Sequence, residues 1–185
     1  KSDFKAFVNF QFDLYKGNEF WVPPIKSEEL KALMPDHNPA LEFCEAKFWL
    51  AKDNNKVVGR IGAIINHAYN EKVNNLLGRF TRFEFVDNKA VSKRLIDKAE
   101  QWLKAKGMTK VHGPLGFTNL DHQGMLIDGY DYLPSVGSEY HLPYYKEHIR
   151  NFGYQKEIDW LEFRLFIKAV PDKAQRVAEI VKRRN

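Results

Sequence analysis

The pattern of apolar and polar positions divides the chain into helical and extended stretches. In 79–86, Thr81, Phe83 and Phe85 fall on one face and Arg82 and Glu84 on the other. That is the period of two of a strand with one buried side. Asp87 or Asn88 then offers an N-cap, because a short side-chain oxygen accepts from a free backbone N–H of the first helical turn. Beyond it the period becomes that of a helix. Val91, Leu95, Ala99, Trp102 and Leu103 share one stripe, with Lys93, Asp97, Glu100 and Lys104 off it. Gly107 closes the helix as a residue free to turn left-handed, and 108–115 begins the next strand.

Upstream, Phe4, Phe7, Val8, Gln11 and Tyr15 trace a helical stripe that stops at Gly17. Pro23 and Pro24 hold the residues before them extended. Ser27 is expected to cap a short helix through Met34, with Glu28 and Glu29 in its first turn. Strands are expected at 46–52 and 56–66, joined by a hairpin turn at Asp53-Asn54-Asn55. Gly59 and Gly62 inside the second strand point to a bulge or a close backbone approach. With 67–75 as a polar connection, 46–86 reads as an antiparallel meander. Downstream, 116–143 is long, irregular and rich in glycine, the kind of loop that usually carries function. Its aromatic residues Phe117, Tyr130, Tyr132 and Tyr140 argue that it is ordered. A helix over 144–152 is closed by Gly153. A strand over 160–167 places Leu161, Phe163, Leu165 and Ile167 on one face, and Pro171 opens a last helix.

Composition narrows the class. The 185 residues, 44% hydrophobic and 14% aromatic, suit one globular domain with a sizeable core. No apolar run nears the roughly 20 residues that span a bilayer, and no signal peptide is visible. Cys44 is the single cysteine, which excludes an internal disulfide and fits a reducing compartment. A cytoplasmic location without a membrane partner is expected. The net charge is +5, but the cations are interleaved with acids, so a nucleic-acid partner is not expected. The histidines show no ligand spacing and no metal is expected. Cys44 reads as a small buried hydrophobe, not a nucleophile.

Helices, a three-strand meander, a helix, a strand, a helix ending in Gly153-Tyr154 and a further strand follow in that order. This order resembles the GNAT (GCN5-related N-acetyltransferase) fold, most specifically at 83–107 and 145–154. Three segments resemble more closely a group of poorly characterised bacterial GNAT-like proteins. They are Leu14-Tyr15-Lys16 with Trp21-Val22-Pro23-Pro24, the stretch from Gly113-Pro114 through Thr118-Asn119 to Gly124-Met125-Leu126-Ile127-Asp128-Gly129-Tyr130-Asp131, and Pro143-Tyr144-Tyr145. The resemblance implies an α+β (α/β/α) fold, a mixed, mostly antiparallel twisted sheet flanked by helices. It implies a GNAT-like domain over 1–170, with 171–185 as a helix leading toward a second domain of the same chain.

The resemblance also implies N-acyl transfer from acetyl-CoA or another acyl-CoA to an amine. Glu84 would then be the base and Tyr145 the acid, while Val86, Asn88, Lys89 and Ala90 would meet the cofactor. Asn119, Asp121, His122, Asp128, Tyr140 and Tyr144 would bind the acceptor. The turn 86–91 lacks the glycines of the family's phosphate loop, and Asp87 would repel a pyrophosphate. Ile149 stands where GNAT enzymes usually carry tyrosine. The alternatives are therefore a catalytically degenerate GNAT-fold binding or scaffold domain, or kinship with aminoacyl-tRNA-dependent peptidyl transferases. Read without the resemblance, Glu84 is a surface charge on a half-buried strand. The loop acids then make local turns, and the three tyrosines pack the start of a helix.

Overall fold

The computed structural model describes residues 2–166 and 169–184. The expectations for Ile167 and Asn185 lie outside the described residues. Asn54 and Asn55 take positive φ values of 45° and 67°, a conformation that turns one strand back on the next without splaying them. They join β1 (Cys44–Asp53) to β2 (Lys56–Asn66). β2 pairs antiparallel with β3 (Leu77–Phe85), and β3 pairs parallel with β4 (Lys110–His112). The sheet order is β1-β2-β3-β4. A parallel pair needs a crossover, and α4 (Lys89–Ala105) supplies it.

One face of the sheet packs on α4, where Leu95, Ile96, Ala99 and Leu103 meet Ile61, Ala63, Phe80, Phe83 and Phe85. The helix lies so close that a Cβ on Gly59 would sit 2.7 Å from Leu95 Cδ1. The other face is covered by α1 (Ser2–Leu14), through Phe7 and Val8 against Phe48. The expected helix, meander, helix and strand are all present, and the result is the GNAT-like mixed sheet flanked by helices.

A bulge in β3 alters the expected faces. Thr81 pairs with Gly62 and Glu84 with Arg60, which leaves Arg82 and Phe83 together opposite Ile61. Arg82 takes φ 46°, a left-handed geometry uncommon for a side chain of its size. Because of the extra residue, Thr81 does not share a face with Phe83 and Phe85. Its methyl lies beside Phe48 at Gly62, while Phe80 joins the α4 core. The reading of Glu84 as a surface charge is also corrected, since Glu84 is buried against Arg60.

Other elements shift. α2 (Lys26–Ala32) starts before Ser27 and has no side-chain cap. The polar connection is a helix, α3 (His67–Val73), started by the Asn66 side chain and ended by left-handed Asn74. The strand at 108–115 keeps only the three residues of β4. α5 (Tyr145–Asn151) ends before Gly153 at φ 88°, and α6 (Asp172–Arg184) is exposed along its length. The described part of 160–167 forms no strand, with Leu161, Phe163 and Leu165 exposed. Alternation supplies one apolar face. A strand also needs a hydrogen-bonding neighbour, which the described residues do not offer here. No helix among the described residues is long and apolar enough to cross a membrane.

Candidate functional site

On the face of the sheet away from α4, ionisable side chains converge from several elements. Arg60 of β2 donates to Glu84 of β3 at 2.6 Å and to the Phe7 carbonyl at 2.9 Å. The bulged Arg82 forks onto Glu29 of α2, with contacts of 3.1 and 3.4 Å. From the long loop, Glu139 lies 3.4 Å from His122 Nδ1 and 3.8 Å from His141 Nε2. The charge of Glu139 acts on Glu29, Glu84 and Tyr15, so the groups form one electrostatic cluster. The bulge brings Thr81 and Glu84, three residues apart, onto this same side of the strand, with the unpaired Arg82 between them.

The carboxylates of the cluster differ. Burial pushes Glu84 above the usual carboxylate range, with the charge of Glu139 adding to the effect and Arg60 opposing it. Burial also works to raise Glu139. The hydrogen bond from His122 and the nearby positive charges outweigh it and hold Glu139 down at about 2. His122 is raised by its bond to Glu139. His141 is lowered, chiefly by burial. Its Nδ1 accepts from the Leu126 N–H at 3.3 Å, which places the proton of the neutral ring on Nε2, facing Glu139.

Tyr145 of α5 is fully buried. Its hydroxyl accepts from the Phe85 N–H at 3.1 Å. Burial raises its pKa well above the ordinary value, and the charge of Glu84 adds to that. The Tyr15 hydroxyl is buried without a hydrogen-bond partner of good geometry.

The structure therefore gathers Glu84, Tyr145 and His122 from the expected set, with the Tyr140 ring edge-on to Tyr15 at 6.1 Å. Asp121 instead accepts from Thr118 N at 2.7 Å, a local turn, and Asn119 and Asp128 are exposed. Glu29, Arg60, Arg82, Glu139, His141 and Tyr15 were not foreseen. Arg60 carried a signal, being a lone charge inside an apolar strand. Glu29 and Glu139 carried none.

At the expected phosphate turn, Asn88 accepts from Ala90 N at 2.9 Å and Val91 N at 3.3 Å. Asp87 lies 3.0 Å from His148 Nε2, whose Nδ1 bonds the buried Ser92 hydroxyl at 2.7 Å. Tyr144 and Tyr145 hold the carbonyl and the N–H of Phe85. The backbone donors that would cradle a pyrophosphate are thus engaged, and a carboxylate stands beside them. The residues present do not fit CoA bound through a bare turn. Among the described residues no group of His, Cys, Asp and Glu is assembled for a metal ion.

No protein-family model matches the chain. It is 34% identical over 164 residues to Protein YghO of Escherichia coli (strain K12), covering 87% of this chain and 41% of that protein. It is 28% identical over 184 residues to a bacterial ceramide synthase of Caulobacter vibrioides, covering 99% of this chain and 46% of that protein. The chain thus spans less than half the length of both relatives. Among solved structures, an acetyltransferase with acetyl-CoA from Clostridium acetobutylicum aligns with a TM-score of 0.47 at 12% identity, over 88% of each chain. A chain described as an acetyl transferase from Pyrococcus furiosus aligns with a TM-score of 0.47 at 16% identity, over 89% of this chain and 93% of that one. By its own topology the chain has the GNAT-like fold, and by sequence it is similar to YghO and to a bacterial ceramide synthase.

Proposed function

We propose that this chain supplies the amine-binding side of an acyl-CoA-dependent N-acyltransferase. The observation that carries the reading is one cluster holding two carboxylates in different company, Glu84 against Arg60 at 2.6 Å and pushed up, Glu139 against His122 at 3.4 Å and held down at about 2. Environments that push paired groups apart divide their roles. Glu139 stays an anion and anchors the acceptor's ammonium. Glu84, more ready to take a proton, accepts the one the nitrogen loses as it becomes a neutral nucleophile. Tyr145 holds the end of β3, next to Glu84, through the Phe85 N–H. An acyl thioester supplies an activated acyl carbon, and no step is assigned to this chain's turn at 86–91. The similarity to a ceramide synthase supports amide formation, since a ceramide is the N-acyl derivative of a long-chain amino alcohol.

The exposed 158–166 segment and α6 suit a lead-in to a second domain of the same chain. A cytoplasmic setting is part of the proposal, supported by a single cysteine that is free and buried. A binding domain without turnover is the second reading, favoured by the engaged donors at Asn88 and Phe85.

The test is amide formation from acyl-CoA donors and a panel of amines, alongside calorimetric titration of the amines alone. Glu84→Gln is expected to lower kcat by about 10²-fold or more, and Glu139→Gln to raise KM. Amine binding without turnover supports the second reading. Absence of both binding and turnover overturns the proposal.

A further inference from the structure

β1 is the edge strand of the sheet, and its side chains alternate between the two faces. Phe48 and Leu50 pack toward α1, and Trp49 and Ala51 toward α4. Lys47, two residues before Trp49, shares the α4 face. Opposite, α4 presents Lys98 and Trp102, one helical turn apart, with Gln101 beside them. Lys47, Trp49, Lys98, Gln101 and Trp102 line a cavity of about 220 Å³ between the strand and the helix. The two half-buried indoles meet edge to face, with centroids 6.1 Å apart and planes at 69°. In such a pair the edge of one ring, and not its face, lies against the other, so an indole face stays open to a further ring. Lys47 Nζ lies 5.9 Å from the Trp49 centroid, at the outer limit of a cation–π attraction, so it yields the ring readily. Glu45, on the same face of β1, is already paired with Lys106 at 2.5 Å. Among the described residues, no carboxylate lies within ion-pairing distance of Lys47 or Lys98. The cavity thus joins two aromatic rings to two unpaired ammonium groups, and its lining holds no acid.

We propose that this cavity binds a small planar aromatic carboxylate. Its ring stacks on the open indole face, and its carboxylate lies between Lys47 and Lys98. The volume falls below the roughly 300–1,000 Å³ of sites for drug-sized ligands, so the occupant is one ring system with its charged group. A neutral ring leaves both ammonium groups without a partner. An aliphatic anion gains only exposed ion pairs, which are individually weak. An aromatic cation meets like charge. The cavity lies on the α4 face of the sheet, opposite the face that carries Arg60 and Glu84, and so is independent of the amine-binding reading.

The test titrates the chain by calorimetry with 2-naphthoate, with 2-naphthylmethanol as the ring without charge, and with cyclohexanecarboxylate as the charge without an aromatic ring. The naphthoate is expected to bind about tenfold tighter than either. The double variant Lys47→Gln, Lys98→Gln is expected to bring the naphthoate down to the level of the naphthylmethanol and to leave the naphthylmethanol unchanged. Both lysines are exposed, so the fold is not at risk. The double variant Lys5→Gln, Lys16→Gln removes the same charge from exposed positions on another part of the chain and is expected to change nothing. Equal binding of the naphthoate and the naphthylmethanol overturns the inference, because the charge then decides nothing. Equal binding of the naphthoate and the cyclohexanecarboxylate overturns it too, because the rings then decide nothing. A loss at Lys5 and Lys16 as large as at Lys47 and Lys98 also overturns it, since net charge alone would account for the binding. So does an absence of naphthoate binding.

Discussion

Arg60 is held by three attractions at once. It meets the Glu84 carboxylate at 2.6 Å, the Phe7 carbonyl at 2.9 Å and the Phe7 ring at 4.9 Å from guanidinium to centroid. All of these are buried, so removing one partner strands the other. Arg60→Leu is expected to cost about 3–5 kcal/mol in urea unfolding, because it leaves Glu84 an uncompensated charge. The double variant Arg60→Leu, Glu84→Leu is expected to recover most of that loss. A single-variant cost that the double variant merely adds to would show that the pair is not coupled. Arg60 was legible as an anomaly in its strand, whereas its partner was hidden by an alternation that made Glu84 look solvent-facing. Glu139 gives a test in pH. Its folded pKa is about 2, below the usual carboxylate value. The stability it contributes is therefore full above the unfolded value near 4.5 and is lost as pH falls toward 2. Melting temperatures of the parent and of Glu139→Gln should differ at pH 7 and converge at the acid end. A difference that persists unchanged to pH 2 would sink this account.

At the scale of elements, α4 starts where the sequence placed it because Asn88 caps two backbone donors at once. Asn88→Ala is expected to lower stability by about 0.5–2 kcal/mol, read as a shift in the denaturation midpoint. Gly62 tests the close approach on the opposite face of the sheet. A Cβ there would lie 2.7 Å from the Phe48 ring and 2.8 Å from the Thr81 methyl. Gly62→Ala is expected to cost about 1–3 kcal/mol by overpacking. The hairpin, the meander and α4 were legible because short-range chemistry fixes them, with Asn at the turn, Asn at the cap and apolar residues at matching periods. α3 was less so, since a helix of seven residues has too little stripe to show a period.

Across the whole molecule, the apolar groups divide into a covered set and an uncovered one. α4, the sheet and α1 bury theirs, while Leu161, Phe163, Leu165 and Phe166, with Val177, Ile180 and Val181 of α6, lie exposed. Large apolar side chains left exposed in such number favour association. The chain is expected to associate with rising concentration in sedimentation velocity. Leu161→Ser, Phe163→Ser and Leu165→Ser together should reduce that association and leave the melting temperature nearly unchanged. A large fall in melting temperature would show that these side chains are packed after all. The charged cluster was the least legible part of the molecule. Its members come from α2, β2, β3 and two turns of a long loop, and no local spacing ties Glu29 to Arg82 or Glu139 to Glu84.

Arg82 is the residue that the sheet does not need. With it deleted, Thr81 would still oppose Gly62, Phe83 would oppose Ile61 and Glu84 would oppose Arg60, and the ladder would close without a gap. Every core side chain would keep its face. What would go is the ion pair between the bulge and Glu29, leaving α2 held by its apolar packing alone. A one-residue deletion is ordinarily the harshest change a strand can suffer. Here it would be structurally mild and functionally severe, which marks position 82 as an insertion kept for what it holds across the sheet and not for the sheet itself.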